Sequence, residues 1–246
     1  FFEDDFTAET DAWEFGPGSW KFENGLLRQS AVGPSRRTIA LKTMPPQDFS
    51  ATFAFTITGG EKWKSVGIDF DMQAEDTSQT VYLSAYDGGP KAQYSYRVAG
   101  KTTYPQDATK PLPIKLKQKH TLKIEVQQSL LNVSVDGKLA LAYRLPMERR
   151  PGQISFWAFD AAAEFHSVRI EKLDGPVVLA EAASKPAQPS VSAKADPKSQ
   201  LEIAALSLEV AKLDLNAAQT NLEFQQARIQ ADRAEFGLTS NGDAEP

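Results

Sequence analysis

The stretch from His120 to Pro146, HTLKIEVQQSLLNVSVDGKLALAYRLP, restricts the fold more than any other part of the chain. Leu122, Ile124 and Val126 alternate with polar residues, as do Leu131, Val133 and Val135, then Leu139 and Leu141. Period-two alternation sends every second side chain to one face, so each run buries one face and wets the other. Gln127-Gln128-Ser129 separates the first two runs and Asp136-Gly137 the second two. Asp-Gly between alternating runs is a strong hairpin signal, because glycine accepts the positive φ that a type I′ turn requires. The stretch predicts an antiparallel meander.

The same grammar runs from Phe1 to Asp174. Trp20 and Phe22 alternate into Glu23-Asn24-Gly25, a second hairpin signal. Phe49, Ala51, Phe53, Phe55 and Ile57 share one inward face. Val66, Ile68, Phe70 and Met72 share the next, with Asp69 and Asp71 expected together on the opposite side. Val81, Leu83 and Ala85 oppose Tyr82, Ser84 and Tyr86, and Tyr94, Tyr96 and Val98 share a face before a polar loop from Ala99 to Pro113. Ile154, Phe156 and Ala158 follow, and the three-residue step from Phe165 to Val168 and Ile170 predicts a bulge. Gly59-Gly60 and Gly88-Gly89 read as turns. Short strands with turn chemistry between them, and no helical period, predict a mainly β protein built as an antiparallel β-sandwich.

Composition then shifts. Residues 175–196 are rich in Ala, Pro, Ser and Lys and read as a linker, because such a stretch has too little apolar surface to offset its ordering entropy. Residues 197–237 read as one long helix, with Asp196 as N-cap, Pro197 at the first helical position and a heptad stripe of Leu201, Leu208, Leu215, Leu222, Ile229 and Phe236. A second stripe through Leu206, Val210, Leu213, Ala217 and Phe224 predicts a helix partner, in the parent chain or in a homo-oligomer. Residues 238–246 read as a disordered tail. The start at Phe1, already strand-like, is expected of a piece cut from a longer protein.

The net charge of −5 over 246 residues supplies no global basic field, so a nucleic-acid partner is not expected. The absence of cysteine excludes disulfides and thiolate metal sites. No apolar run approaches the roughly 20 residues of a membrane span. His120 and His166 lack the neighbours that a zinc site or a Ser-His-Asp triad needs. Asn132-Val133-Ser134 matches a glycosylation sequon but falls inside a strand.

Two constellations could carry chemistry. Asp69 and Asp71, two apart on one strand, suggest a divalent cation site or an acid/base pair, or else an ordinary solvated face. A structural Ca2+ ion is the metal such a pair would suit; no other cofactor is expected. Tyr82 and Tyr86 on one strand, and Trp157 and Phe159 on another, form outward aromatic sets. An aromatic sheet face suits sugar stacking, with nearby polar groups orienting the hydroxyls. Trp63, Asp69, Asp71 and Arg97 would complete that surface with Tyr82, Tyr86 and Trp157. The alternative is that these aromatics pack under loops or the long helix.

The opening Phe2-Glu3-Asp4-Asp5-Phe6, the Trp20–Leu26 hairpin, Leu131–Lys138 and the closing Gly152–Ile170 region resemble the concanavalin A-like lectin/glucanase superfamily, in its laminin-G-like and 3-keto-disaccharide hydrolase-like branches. The resemblance covers residues 1–174 and implies a jelly-roll sandwich. Followed by the heptad helix, it is similar to an insert of large planctomycete cytochrome c-type secreted proteins, implying an extracytoplasmic location. No Cys-x-x-Cys-His occurs, so no haem is expected on this piece. Hydrolase-like relatives often carry a Gln/His pair where this chain has Trp157 and Phe159. That departure favours a non-catalytic carbohydrate-binding module for a polysaccharide or oligosaccharide over an enzyme; a structural assembly module is the alternative, and a glycoside or 3-keto-disaccharide hydrolase comes third.

Overall fold

Two strands of unusual length organise the chain: β6 spans Phe49–Ala74 and β14 spans Gln153–Lys172. The structure is a computed structural model that describes residues 1–74, 76–174 and 179–180. Before β6 come β1 (Phe2–Asp4), β2 (Trp13–Phe15), β3 (Trp20–Glu23), β4 (Leu26–Gln29) and β5 (Arg36–Leu41). Between the long strands lie β7 (Thr77–Ser84), β8 (Lys91–Val98), β9 (Lys101–Thr103), β10 (Thr109–Pro111), β11 (Lys119–Gln127), β12 (Leu130–Val135) and β13 (Lys138–Arg144). The stretch from Ala99 to Pro113, expected as a loop, thus contributes two short edge strands.

The long strands pair antiparallel with each other and pass through both layers of a sandwich. In layer A, the first part of β6 lies between β11 and the last part of β14, with β12 and β13 beyond β11. Strands β1 and β4 pair with the far edge of that same part of β14, and β3 pairs with β4. In layer B, residues 65–70 of β6 lie between β7 and the first part of β14; β8 flanks β7, and β5 and β2 continue beyond β14. The change of layer falls where Gly59 and Gly60 oppose Ala162 and Ala161, amid register shifts. Gly59-Gly60 is therefore a bend inside a continuous strand, which corrects the expected turn. Gly88-Gly89 is a turn, closed by the Gly89 N–H donating to the Tyr86 carbonyl at 3.0 Å.

The core fills the space between layers. Phe53 of layer A meets Phe156 of layer B with ring centroids 4.4 Å apart, and Tyr94 meets Tyr143 at 5.0 Å. Phe49 and Phe70, near the two ends of one strand, meet at 6.0 Å because β6 folds over. All five residues of the predicted Phe49–Ile57 face are buried, as are Ile154, Phe156 and Ala158. The meander forms, and Asp136 (φ 50°) and Gly137 (φ 77°) both take the positive φ of the hairpin turn. Its third run, however, does not bury the expected face: Leu139 is exposed on β13, which shifts register against β12 between Val133 and Ser134. The predicted bulge is present as a register shift between Phe165 and Ser167.

His120 is buried and holds this turn, its Nδ1 lying 2.9 Å from Asp136 Oδ2 while Asp136 Oδ1 accepts the Thr121 N–H at 2.8 Å. Asn132, the sequon residue, is also buried. Its amide donates to the Ala180 carbonyl at 2.8 Å and accepts the Ala180 N–H at 2.9 Å. Leu179 beside it is buried too, so two residues of the stretch expected as linker lie on the sandwich. The rest of that stretch, the heptad helix of 197–237 and the tail lie outside the described residues.

His166 stands on layer A with Nε2 2.8 Å from Thr56 Oγ1. Burial and then the nearby Lys119 charge hold its imidazole below the usual histidine range, against Glu164. A depressed folded pKa means the unfolded chain binds the proton first as pH falls. This contribution is therefore complete above the ordinary value of about 6.5 and is lost on acidification below it. His166→Gln should show a smaller fall in Tm between pH 7.5 and pH 5.5 than the parent, by about 1 °C for a partly exposed group in a domain of this size. Thermal melts at the two pH values check it.

Candidate functional site

The outer face of layer B is assembled by cross-strand register. Trp157 of β14 stands beside Gly67 of β6, Gly67 beside Tyr82 of β7, and Tyr82 beside Gln93 of β8. One row along stand Ser155, Asp69, Thr80 and Ser95; on the other side stand Phe159, Ser65, Ser84 and Lys91. These positions alternate with the core residues Phe156, Ile68, Val81 and Tyr94, so their side chains leave the opposite face of the sheet.

Gly67 makes the central row possible. A Cβ there would lie 2.6 Å from Trp157 Cζ2, from Tyr82 Cβ and from the Val81 carbonyl. The indole fills this notch and reaches toward Tyr82, the two rings being 5.8 Å apart and inclined by 49°. Trp157 is only 3% exposed. Its upper face is covered by Arg36, whose Cζ lies 4.2 Å from the ring centroid. Trp157 is thus a floor beneath Arg36, and direct stacking of a ligand on it would require that guanidinium to move.

Asp69 ties this floor together. Its Oδ1 accepts Thr80 Oγ1 at 2.6 Å and Trp157 Nε1 at 2.9 Å, while Oδ2 meets Arg36 Nη1 at 2.5 Å. A buried carboxylate with three donors is satisfied as an anion, and it fixes both the indole and the guanidinium. Tyr82 is half-buried and donates its hydroxyl to Gln93 Oε1 at 2.5 Å.

A second aromatic pair stands at the end of β7. Trp63 and Tyr86, both half-buried, lie 4.9 Å apart at 35°. Asp160, at positive φ beside the bend, accepts the Lys62 and Trp63 N–H groups at 2.7 Å each and so sets the position of Trp63. Ser84 donates to the Trp63 carbonyl at 2.6 Å. Lys64 pairs its buried ammonium with Asp87 at 2.7 Å, anchoring the segment after Tyr86. Lys62 lies over the Trp63 ring at 4.8 Å. Ser84, between Tyr82 and Tyr86 on the same face, links the two pairs.

Asp71 is not part of this surface, which corrects the expectation that it shares a face with Asp69. Its φ of 52° lies in a bulge where β6 shifts register against β7 and β14, and this turns the side chain to the other side of the sheet. There it accepts Gln79 Nε2 at 2.7 Å and is gripped by Arg149, through Nε to Oδ2 and Nη2 to Oδ1, both 2.9 Å. Gln79 in turn accepts the Tyr94 hydroxyl at 2.8 Å, and burial pushes that phenol far above the usual tyrosine range. The two carboxylates form neither an acid/base pair nor a shared cation site. Every oxygen of each is engaged by a donor, and no group of three or more His, Asp or Glu side chains suited to a metal occurs among the described residues. Ca2+ does not fit these residues.

Arg97 follows Gln93 and Ser95 along the outward positions of β8, between Ser78 and Thr102. Of the expected residues, Trp63, Asp69, Tyr82, Tyr86 and Trp157 come together, Arg97 lies at one margin and Asp71 lies elsewhere. Arg36, Thr80, Gln93 and Lys64 were not expected. Gln93 was open to the alternation that marks Tyr94 as inward; Arg36 depends on the β5–β14 register and has no local signal. An open depression of about 270 Å3, lined by Phe1, Phe2, Glu3, Arg169, Ile170 and Glu171, belongs to layer A and to none of these groups.

No protein-family model and no curated protein matches the sequence. Solved structures do. The carbohydrate binding module CBM66 from Bacillus subtilis superposes with a TM-score of 0.58 at 18% identity, over 65% of this chain and 96% of the module. The Bacillus licheniformis β-glucanase gives 0.57 at 14%, over 70% and 98%. The fold is a concanavalin A-like β-sandwich. The Emp46p carbohydrate recognition domain in its potassium-bound form shares it, with a TM-score of 0.58 at 15% identity over 71% and 96%. Likeness at these identities extends to the concanavalin A-like architecture and leaves the chemistry to the side chains.

Gly67→Ala should cost about 1–3 kcal/mol through overpacking between Trp157 and Tyr82. Urea denaturation followed by circular dichroism would read it as a lowered midpoint with an unchanged slope.

Proposed function

We propose that the chain is a carbohydrate-binding module, non-catalytic in itself and part of a larger secreted or envelope protein. The observation that carries this reading is the outer face of layer B, where two aromatic pairs, Tyr82–Trp157 and Trp63–Tyr86, stand side by side, tied through the buried Ser84. Sugar rings present apolar C–H faces that lie on aromatic rings, while their hydroxyls need donors and acceptors in fixed positions. Tyr82, Tyr86 and Trp63 supply the half-buried rings. Arg36 supplies a part-exposed polar group and Arg97 extends the polar margin, while the buried Gln93 and Ser84 position Tyr82 and Trp63 through their own hydrogen bonds. Asp69 acts as a positioning residue, through Trp157 and Arg36. The engagement of both Asp69 and Asp71 by cations supports a binding role over glycoside hydrolysis, which uses two working carboxylates about 5–9 Å apart.

Affinity electrophoresis through gels carrying plant, fungal and bacterial polysaccharides tests the reading. The parent chain should be retarded by at least one glycan. Tyr82→Ala and Trp63→Ala should each weaken that retardation roughly fivefold to tenfold, the equivalent of losing one aromatic contact of about 1–1.4 kcal/mol. No retardation across the panel, or variants that bind like the parent while keeping their fold by circular dichroism, would sink it.

A further inference from the structure

We propose that the sugar surface of layer B selects an acidic glycan, a uronate polymer whose carboxylates reach Lys91; the inference rests on the carbohydrate-binding reading above. Lys91 opens β8 directly opposite Ser84, and Gln93 two residues on stands opposite Tyr82. On one face of an antiparallel pair, diagonal neighbours lie about 7–8 Å apart, within reach of a long side chain. The Lys91 stem therefore starts beside the Tyr82–Ser84–Tyr86 line on which a sugar chain would lie.

What distinguishes Lys91 is its lack of a counter-ion. Arg36 on this face is paired with Asp69, and Lys64 is paired with Asp87. Lys91 is half-buried, and among the described residues no carboxylate lies within ion-pair distance of it. Burial alone lowers its pKa, with no acidic group offsetting the loss of water. A partly desolvated cation without a partner is unfavourable by itself, and an incoming carboxylate restores what solvent no longer supplies. Lys62 adds positive charge beside Trp63 in a chain whose net charge is −5. Of the acidic side chains described on this face, Asp69 pairs with Arg36 and Asp87 with Lys64. Such a surface distinguishes anionic from neutral polymers by charge and sugars from other polyanions by its rings.

Binding of the full 246-residue chain to polygalacturonate and alginate, each compared with its carboxyl-esterified form at 0.15 M NaCl, tests the proposal. The parent should bind at least one free uronate polymer tenfold or more tightly than its ester. Lys91→Gln should shrink that ratio at least threefold, whereas Lys110→Gln, which removes the same charge from neighbouring β10, should keep it. Equal affinity for acid and ester, or binding only to neutral glycans, overturns the acidic preference while the carbohydrate-binding reading stands. Failure to bind any glycan in either panel removes both. Tighter binding to a sulfated galactan than to either uronate would replace carboxylate by sulfate and overturn the proposal as stated. Equal binding to polyacrylate would reduce it to general polyanion attraction and overturn it as well.

Discussion

Antiparallel pairing between β6 and β14 is the interaction on which everything else hangs. Because each strand passes from one layer to the other, the pair forms the middle of both sheets, and every remaining strand attaches to it directly or through one or two intervening strands. The sandwich therefore has no independent halves. A fault in the pairing would detach Phe53 from Val168 in one layer and Ile68 from Phe156 in the other. It would also misplace Trp157, Asp69 and Gly67, which meet only because those registers hold.

The aromatic face shows how a sheet can carry a buried carboxylate, paired with a part-exposed guanidinium, without leaving its charge unsatisfied. Asp69 is buried, but its three donors come from three different strands, and two of them also shape the surface. Thr80 fixes the carboxylate laterally. Trp157 is held by its N–H, and Arg36 lies over the indole. Removing a donor from so buried a carboxylate costs more than the contact gains, because Asp69 keeps its desolvation penalty. The arrangement thus favours a rigid floor, with adaptability left to Tyr82, Tyr86 and the lysines around it.

Local chemistry made much of this readable in advance. The Asp136-Gly137 and Asn24-Gly25 hairpins, the buried faces from Phe49 to Ile57 and from Ile154 to Ala158, and the bulge after Phe165 all follow from alternation and turn propensity. Tyr82 and Trp157 were legible as outward residues for the same reason, although their meeting across Gly67 was not. What escaped depends on backbone or partners beyond the local window. A Gly-Gly pair reads as a turn wherever it occurs, yet here it opposes two alanines and lets one strand cross between layers. Strict alternation puts Asp69 and Asp71 together, and a single residue in the left-handed region separates them. Arg36 reaches Asp69 from a strand 33 positions away in sequence, an encounter that only the sheet order arranges.

The hook between Asn132 and Ala180 has a mechanical consequence. Tension on the chain beyond Ala180 is carried by two hydrogen bonds into β12, an interior strand of layer A, as well as into the end of β14. Load applied from that side is shared between two attachment points, and β14 is spared being peeled from its end alone. The strand that would otherwise unzip first is the one that carries Trp157.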